Sequence, residues 1–350
     1  RNLRMIKQTV IALLSIAALS LTACSSQDIT LDPIENGVNL DQQVNSLATK
    51  KNSFKVRTDW YENLSPDLQQ YYADAKGKTG AELFDALNKI ISEKNSISSY
   101  QDSKSFMYAV ADNVSNGSKK GLFDAYSGIF VTGNGGNGNS YKETADDNKD
   151  GVSGDFINCE HTWPQSFFAK SNPMVADIHH LQSTMSVPNN RRSHFPFGNV
   201  AGAGEVVYTT SGGSKLALRD KTSKNRSKAE MIKIINMPDS NYEAKAAILD
   251  AEFEATFEPW DKQKGNTARA MMYFYTRYYK QNIRQGEFSE KAFWDSKVPT
   301  FIQWSTQIDP VDDQEKTRND IVFKKQGNRN PFVDVPDFAV LIGEQVFQSK

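Results

Sequence analysis

The chain has 350 residues, enough for one large domain or two modest ones. Hydrophobic residues make up 38% and charged residues 24%, which fits a soluble globular body. The formal net charge is −1, which excludes a global field for nucleic acid, so polyanion binding has to come from a local basic patch.

Arg4 and Lys7 form a positive region, and residues 9–21 are almost wholly apolar apart from small hydroxyl side chains. That run is too short for a comfortable membrane span. It leads into Leu21-Thr22-Ala23-Cys24, small residues ahead of a cysteine, which resembles a bacterial lipoprotein signal. Residues 1–23 are therefore expected to be a signal peptide, with Met5 as its start, residues 1–4 upstream of it, and Cys24 as the lipidation site. Ser25 and Ser26 follow with no Asp beside the anchor, which favours an outer membrane in a cell with two. The other reading is an ordinary signal peptide with an incidental cysteine. With Cys24 carrying lipid, Cys159 stands alone, so stability rests on a packed core and not on a disulfide.

Residues 24–65 are polar and poorly periodic and read as a tether, although Trp60 and Tyr61 suit the start of a domain. From Pro66 the pattern becomes helical. Ala81, Leu83, Phe84, Leu87, Ile90 and Ile91 recur near a 3.6-residue spacing behind Thr79, a fair N-cap. Residues 108–114 read as a short helix or a strand, 131–154 as a Gly/Asn/Asp loop, 156–159 as a strand, and 198–214 as Gly-rich and β-like. Residues 244–254 and 267–281 read as helices, and 332–335, flanked by Pro331 and Pro336, as extended. No internal repeat or second hydrophobic span is evident. One α+β domain over residues 66–345 is expected.

The chemistry lies in Asn158-Cys159-Glu160-His161-Thr162-Trp163-Pro164-Gln165-Ser166. An isolated Glu–His pair is more often a surface feature, and adjacent residues of a regular strand point to opposite faces. For both to reach one phosphate the chain has to leave strand geometry there, and Pro164 supplies a break by removing a ladder donor. A second segment runs from Asp177-Ile178-His179-His180-Leu181 to Asn189-Asn190-Arg191-Arg192-Ser193-His194-Phe195-Pro196-Phe197-Gly198. It clusters polar and basic residues where a helix should start, with Pro188 in its first turn.

These segments resemble bacterial endonuclease I, a family of ββα-metal (His-Me finger) nucleases. The family carries an acid-His-x-x-Pro-x-Ser stretch, then Asp-aliphatic-His-His-Leu, then Asn-x-x-Arg-Ser-Asn and Pro-Phe-Gly. The likeness continues through Phe257-Glu258-Pro259-Trp260-Asp261, Lys264-Gly265, Ala268-Arg269-Ala270, Asp309-Pro310-Val311, Arg318-Asn319 and residues 326–332. It implies a ββα-metal core embedded in a mostly helical domain. It also implies His161 as general base for the attacking water, with Glu160 and Asn189 holding Mg²⁺, or Mn²⁺ or Ca²⁺, through oxygen. The metal would neutralise the scissile phosphate and stabilise the leaving 3′-oxygen, and a water on it could protonate that oxygen. The products would be 5′-phosphate and 3′-hydroxyl ends, from DNA and also RNA.

His194 stands where many relatives have Asn, and only Lys170 lies between Pro164 and His180 where some relatives have a phosphate-clamping Arg. Arg192 and Arg329 are then the candidate clamps, each with an alternative as a structural ion-pair member. For His179 and His180, the plainer reading is that one orients His161 or a backbone group and the other packs.

Asp146-x-Asn148-x-Asp150-Gly151 resembles the opening of a calcium loop, but its twelfth position is Ile157, so a solvated turn is the simpler reading. The run from Lys215 to Lys233 is strongly basic and reads either as a solvated face or as a contact to phosphate backbone. Cys159 is expected to be a small buried group, and Met271, Met272, Phe274, Tyr275 and Tyr278 to be core. No segment reads base edges, so cleavage is expected to be largely sequence-independent. Two other classes compete: a zinc hydrolase using His161, His179, His180 and His194, and a surface nucleic-acid-binding lipoprotein without catalysis. A nuclease serving DNA uptake or biofilm control is not separable from one scavenging nutrients at this level.

Overall fold

The computed structural model describes residues 55–93, 96–97, 99–133, 141, 156–238, 241–286 and 288–350. Cys24, most of the expected tether and the 146–151 loop lie outside the described residues. Packing begins before Pro66. The Arg57 backbone N–H donates to Asp337 Oδ1 at 2.7 Å, and Trp60, only 4% exposed, sits edge-on to Phe338 at 4.7 Å. A tether boundary at residue 65 is therefore too late, because the large apolar surface of Trp60 is buried in the body.

Helix α1 (Pro66–Tyr71) starts behind the capping hydroxyl of Ser65, with proline in its first turn. Helix α2 (Gly80–Glu93) buries Leu83, Phe84, Leu87 and Ile91, the stripe set by the 3.6-residue spacing. The ambiguous 108–114 stretch divides: α3 (Tyr100–Phe106) runs into a π-helical turn at Met107–Ala111, and strand β1 begins at Val114.

Three small antiparallel sheets follow. The first orders β1 (Val114–Asn116), β2 (Lys119–Phe123) and β3 (Phe130–Thr132). The second pairs β4 (Ile157–His161) with β5 (Leu181–Met185). Helix α4 (Ser186–Arg192) leaves directly from the end of β5, with Pro188 in its first turn as expected. The third sheet orders β6 (Glu205–Thr209), β7 (Lys215–Asp220) and β8 (Phe253–Glu258).

Helices α5 (Lys228–Ile235) and α6 (Tyr242–Glu252) intervene between β7 and β8. The chain turns from helix to strand at Phe253, two residues earlier than the apolar spacing of 244–254 implies, because β8 completes a ladder on β7. Helix α7 (Asp261–Tyr278) is buried over nearly all of its surface, Met271, Met272, Phe274, Tyr275 and Tyr278 included. It is the central element of the body, around which α2, α8 (Val298–Gln303) and α10 (Pro331–Asp334) pack.

Further helices are α9 (Asp313–Gln326), α11 (Phe338–Ile342) and α12 (Glu344–Ser349). Residues 332–335 are not extended. Pro331 occupies the first turn of α10, where its missing N–H costs nothing, and Asn330 caps the N–H of Phe332 at 3.0 Å. The flanking prolines thus start and stop a helical turn instead of forcing a strand. The α+β expectation holds, and among the described residues no helix is long and apolar enough to cross a membrane.

Candidate active site

The Glu160–His161 pair closes strand β4. The ladder runs through both residues, Glu160 opposite Gln182 and His161 opposite Leu181, so the chain does not leave strand geometry between them as expected. The break comes one residue later, at Thr162. The two side chains therefore project to opposite faces at the strand's last two positions.

Glu160 is 2% exposed. Its Oε1 accepts from the Tyr126 hydroxyl at 2.8 Å and lies 2.8 Å from Arg192 Nη1. Burial pushes the carboxyl up to about 7, against the pull of the Arg192 guanidinium and the Tyr126 hydroxyl. Among the described residues Oε2 makes no hydrogen bond.

His161 is 4% exposed and packs against Tyr100, Phe168 and His180. Its Nε2 lies 2.9 Å from the carbonyl of Val175. A carbonyl only accepts, so Nε2 carries the proton and the lone pair of the neutral ring is on Nδ1. Burial, then the neighbouring His180, hold the ring down to about 3 despite the Val175 bond, so the imidazole is neutral at ordinary pH.

Helix α4 delivers the third component. Asn189 and Arg192 are three residues apart and share a helix face. Asn189 Nδ2 donates to the Cys159 carbonyl at 3.4 Å, and Arg192 donates to the carbonyls of His161 at 3.0 Å and Thr162 at 2.6 Å. The helix thus lies along the end of β4, with an amide and a guanidinium fixed to its backbone. A carboxylate oxygen on Glu160 and the amide oxygen of Asn189 are hard donors, and this pair suits Mg²⁺ or a similar cation with waters completing the shell.

The expected clamps are not free for substrate. Arg192 is 1% exposed and engaged by Glu160 and two carbonyls. Arg329 is 7% exposed and pairs with Asp334 at 2.6 Å and with Asp320. Each guanidinium thus sits in an ion pair, which fits the structural alternative, because a buried charge needs a partner inside the protein. The basic run is also largely committed: Lys224 and Arg226 pair with Glu252, Arg219 with Glu254, and Lys221 with the Asp250 carbonyl.

The four histidines do not converge. His179 Nε2 donates to the Asn328 carbonyl at 2.8 Å, and His180 Nε2 to the Met174 carbonyl at 2.7 Å. His194 Nε2 meets Asp250 Oδ1 at 2.8 Å. Among the described residues no group of three or more His, Cys, Asp or Glu is placed to hold a metal, which removes the basis of the zinc reading. His180 does pack on His161, with ring centroids 5.4 Å apart, while His179 lies against Tyr273. Cys159 is buried, in keeping with a small apolar role.

Three supporting residues are given no role by the sequence, although Asp177 opens the second motif segment. Tyr126 fixes Glu160. Asp124 accepts from Thr184 at 2.6 Å and from the Met185 N–H at 3.0 Å, tying down the end of β5. Asp177 is fully buried and its Oδ2 accepts from Arg277 at 2.7 Å and from Tyr273 and Tyr278 at 2.8 Å each. Burial alone would raise the Asp177 carboxyl, but Arg277, then His179 and His180, hold it well below the usual carboxylate range.

Residues 79–233 and 236–337 match the family model described as Endonuclease I. The chain is 28% identical over 284 residues to an extracellular ribonuclease of Bacillus subtilis, covering 78% of each chain. It is 27% identical over 286 residues to an extracellular ribonuclease of Bacillus amyloliquefaciens, covering 79% of this chain and 78% of that one. The match spans most of the described body and includes both motif segments, so this chain belongs to the endonuclease I family and is an endonuclease that hydrolyses phosphodiester bonds.

Proposed function

We propose that the enzyme is a divalent-metal-dependent, largely sequence-independent nuclease of RNA and DNA, with β4, β5 and α4 as a ββα-metal core. The observation that carries this reading is the bond from His161 Nε2 to the Val175 carbonyl, which leaves Nδ1 as the basic nitrogen. Nδ1 makes no hydrogen bond among the described residues, as a base awaiting water requires.

His161 accepts a proton from water at Nδ1 while the water oxygen bonds to phosphorus. The bond from phosphorus to the 3′-oxygen breaks, and that oxygen leaves with a proton from solvent, giving 5′-phosphate and 3′-hydroxyl ends. An anionic phosphate beside the ring favours its protonated form and so strengthens the base beyond its value in the substrate-free protein. The Val175 carbonyl holds the ring in the useful tautomer and stabilises the imidazolium.

Glu160 Oε2 and Asn189 Oδ1 would hold the metal, which would supply Lewis-acid neutralisation of the phosphate charge. Arg192 positions these groups, binding the strand end, the following turn and the carboxylate together. Glu160 and His161 stand on opposite faces, but at the end of the strand, where a phosphate approaching end-on meets both.

The names of the two Bacillus relatives support RNA as a substrate and a location outside the cytoplasm. The Leu21-Thr22-Ala23-Cys24 sequence supports a lipid anchor at Cys24 that holds the enzyme in the cell envelope. Digestion of plasmid DNA and of RNA with Mg²⁺, Mn²⁺, Ca²⁺ or chelator tests the proposal. Cleavage restored by a divalent ion and lost in chelator is expected, and full activity in chelator would refute the metal.

A further inference from the structure

A cavity of about 510 Å³ lies between β5, α7 and α9, and Glu160, His161 and Asn189 are not among its lining residues. Its volume falls within the roughly 300–1,000 Å³ of small-molecule sites. Two aromatic side chains, Phe123 and Trp260, line it, and Phe123 is 39% exposed although large and apolar. Gln182 and Gln263 line it too.

Gln263 is 7% exposed and donates Nε2 to Gln182 Oε1 at 3.0 Å. Among the described residues this leaves Gln263 Oε1 and Gln182 Nε2 without hydrogen bonds, one acceptor and one donor on two directly bonded amides. Flipping both amides exchanges their order and keeps the pair. The acidic groups in the walls are already matched: Asp112 by Arg318, Glu315 by Arg269, and Asp124 by the hydroxyls of Thr184 and Ser127 and three backbone N–H groups. Asp312 caps α9. Lys262 has no ion pair among the described residues, and its ammonium lies 6.0 Å from the Trp260 ring.

We propose that this cavity is a subsite for an unpaired nucleobase of the substrate strand. This rests on the nuclease reading and names the substrate form it favours: single-stranded RNA or DNA. Every base has two π-faces for an aromatic wall and an edge with a donor beside an acceptor, which the Gln182–Gln263 pair complements. Lys262 at the wall suits the adjoining phosphate. Gln182 is the ladder partner of Glu160, so a base held there lies one strand away from the catalytic strand end. A base stacked within a duplex cannot enter, so the subsite acts on single strands and loops.

The test is fluorescence anisotropy on the His161→Ala protein, which spares the oligonucleotide. The probes are end-labelled single strands of RNA and DNA, a DNA strand of equal length carrying abasic residues, and a duplex. Intact single strands should bind about tenfold tighter than the abasic strand, the scale of one base–aromatic stack. Phe123→Ala and Gln263→Met should each narrow that ratio, with circular dichroism and melting curves unchanged and duplex binding within about twofold of the parent.

Equal binding of intact and abasic strands would overturn the subsite. So would a ratio that both variants leave intact, or an equal loss on duplex and single strands. None of these results bears on whether His161 is needed for cleavage, which is measured separately. The RNA and DNA arms show which sugar the subsite accepts.

Discussion

Arg192 Nη1 lies 2.8 Å from Glu160 Oε1, with both side chains almost wholly removed from solvent. The same guanidinium binds the carbonyls of His161 and Thr162, so one side chain of α4 secures the carboxylate and the backbone of the base. Removing it strands a buried carboxylate. Arg192→Met should destabilise the protein by about 3–5 kcal/mol, the usual cost of breaking a buried pair from one side. Urea denaturation measures this, and a loss below about 1 kcal/mol would mean that the pair is not a structural bond.

Asp177 makes a comparable prediction on the other side of the β5 approach. It receives Arg277, Tyr273, Tyr278 and Gln326 in a fully buried position. Asp177→Ala leaves Arg277 charged and unmatched, and should cost about 3–5 kcal/mol. Thermal melting shows it directly, and an unchanged melting temperature would contradict the role.

Stability should fall on mild acidification. Burial holds His161 down to about 3 and His179 and His180 to about 4, so the folded protein keeps these rings neutral where the unfolded chain, near 6.5, takes up protons. Their stabilisation is present above about 6.5 and is lost as pH drops towards 4. Glu160 acts the opposite way: raised by burial to about 7 from 4.5, it keeps a proton that the unfolded chain releases, and its contribution fades as pH rises through that interval. Three rings outweigh one carboxyl. In chelator, the urea midpoint should be lower at pH 5 than at pH 7, and a higher midpoint at pH 5 would reverse the argument.

The basic run makes an electrostatic prediction. Lys224 and Arg226 are paired with Glu252, whereas Lys262 has no ion pair among the described residues. Lys262→Ala should reduce the salt slope of single-strand binding by about 0.7, one phosphate contact, and Lys224→Ala should leave it unchanged. Equal slopes for the parent and Lys262→Ala would remove that contact.

Much of this architecture was readable from residue order. The stripe of α2, the strand at residues 156–159 and Pro188 in the first turn of α4 follow from period and proline placement. What residue order hides is the identity of hydrogen-bond, packing and ion-pair partners. The start of the body at Trp60 stays open in the sequence because Phe338, the ring it packs on, is far away along the chain. Residues 332–335 looked extended because prolines flank them, while the cap on Asn330 that starts a helix there is a local hydrogen bond that composition hides. For Arg192 and Arg329 the sequence leaves phosphate clamp and ion-pair member both open, since it shows a positive charge without showing Glu160 or Asp334 beside it. The paired amides of Gln182 and Gln263 were invisible for the same reason, being 81 positions apart.

The central claim is that the Nδ1 nitrogen of His161 takes the proton from the attacking water. The most direct measurement is the rate of plasmid nicking by His161→Ala against the parent protein in Mg²⁺, with binding and fold checked in parallel. A loss of about 10²–10⁴-fold with binding intact is the predicted result for a general base. A variant that nicks as fast as the parent would show that another group activates the water.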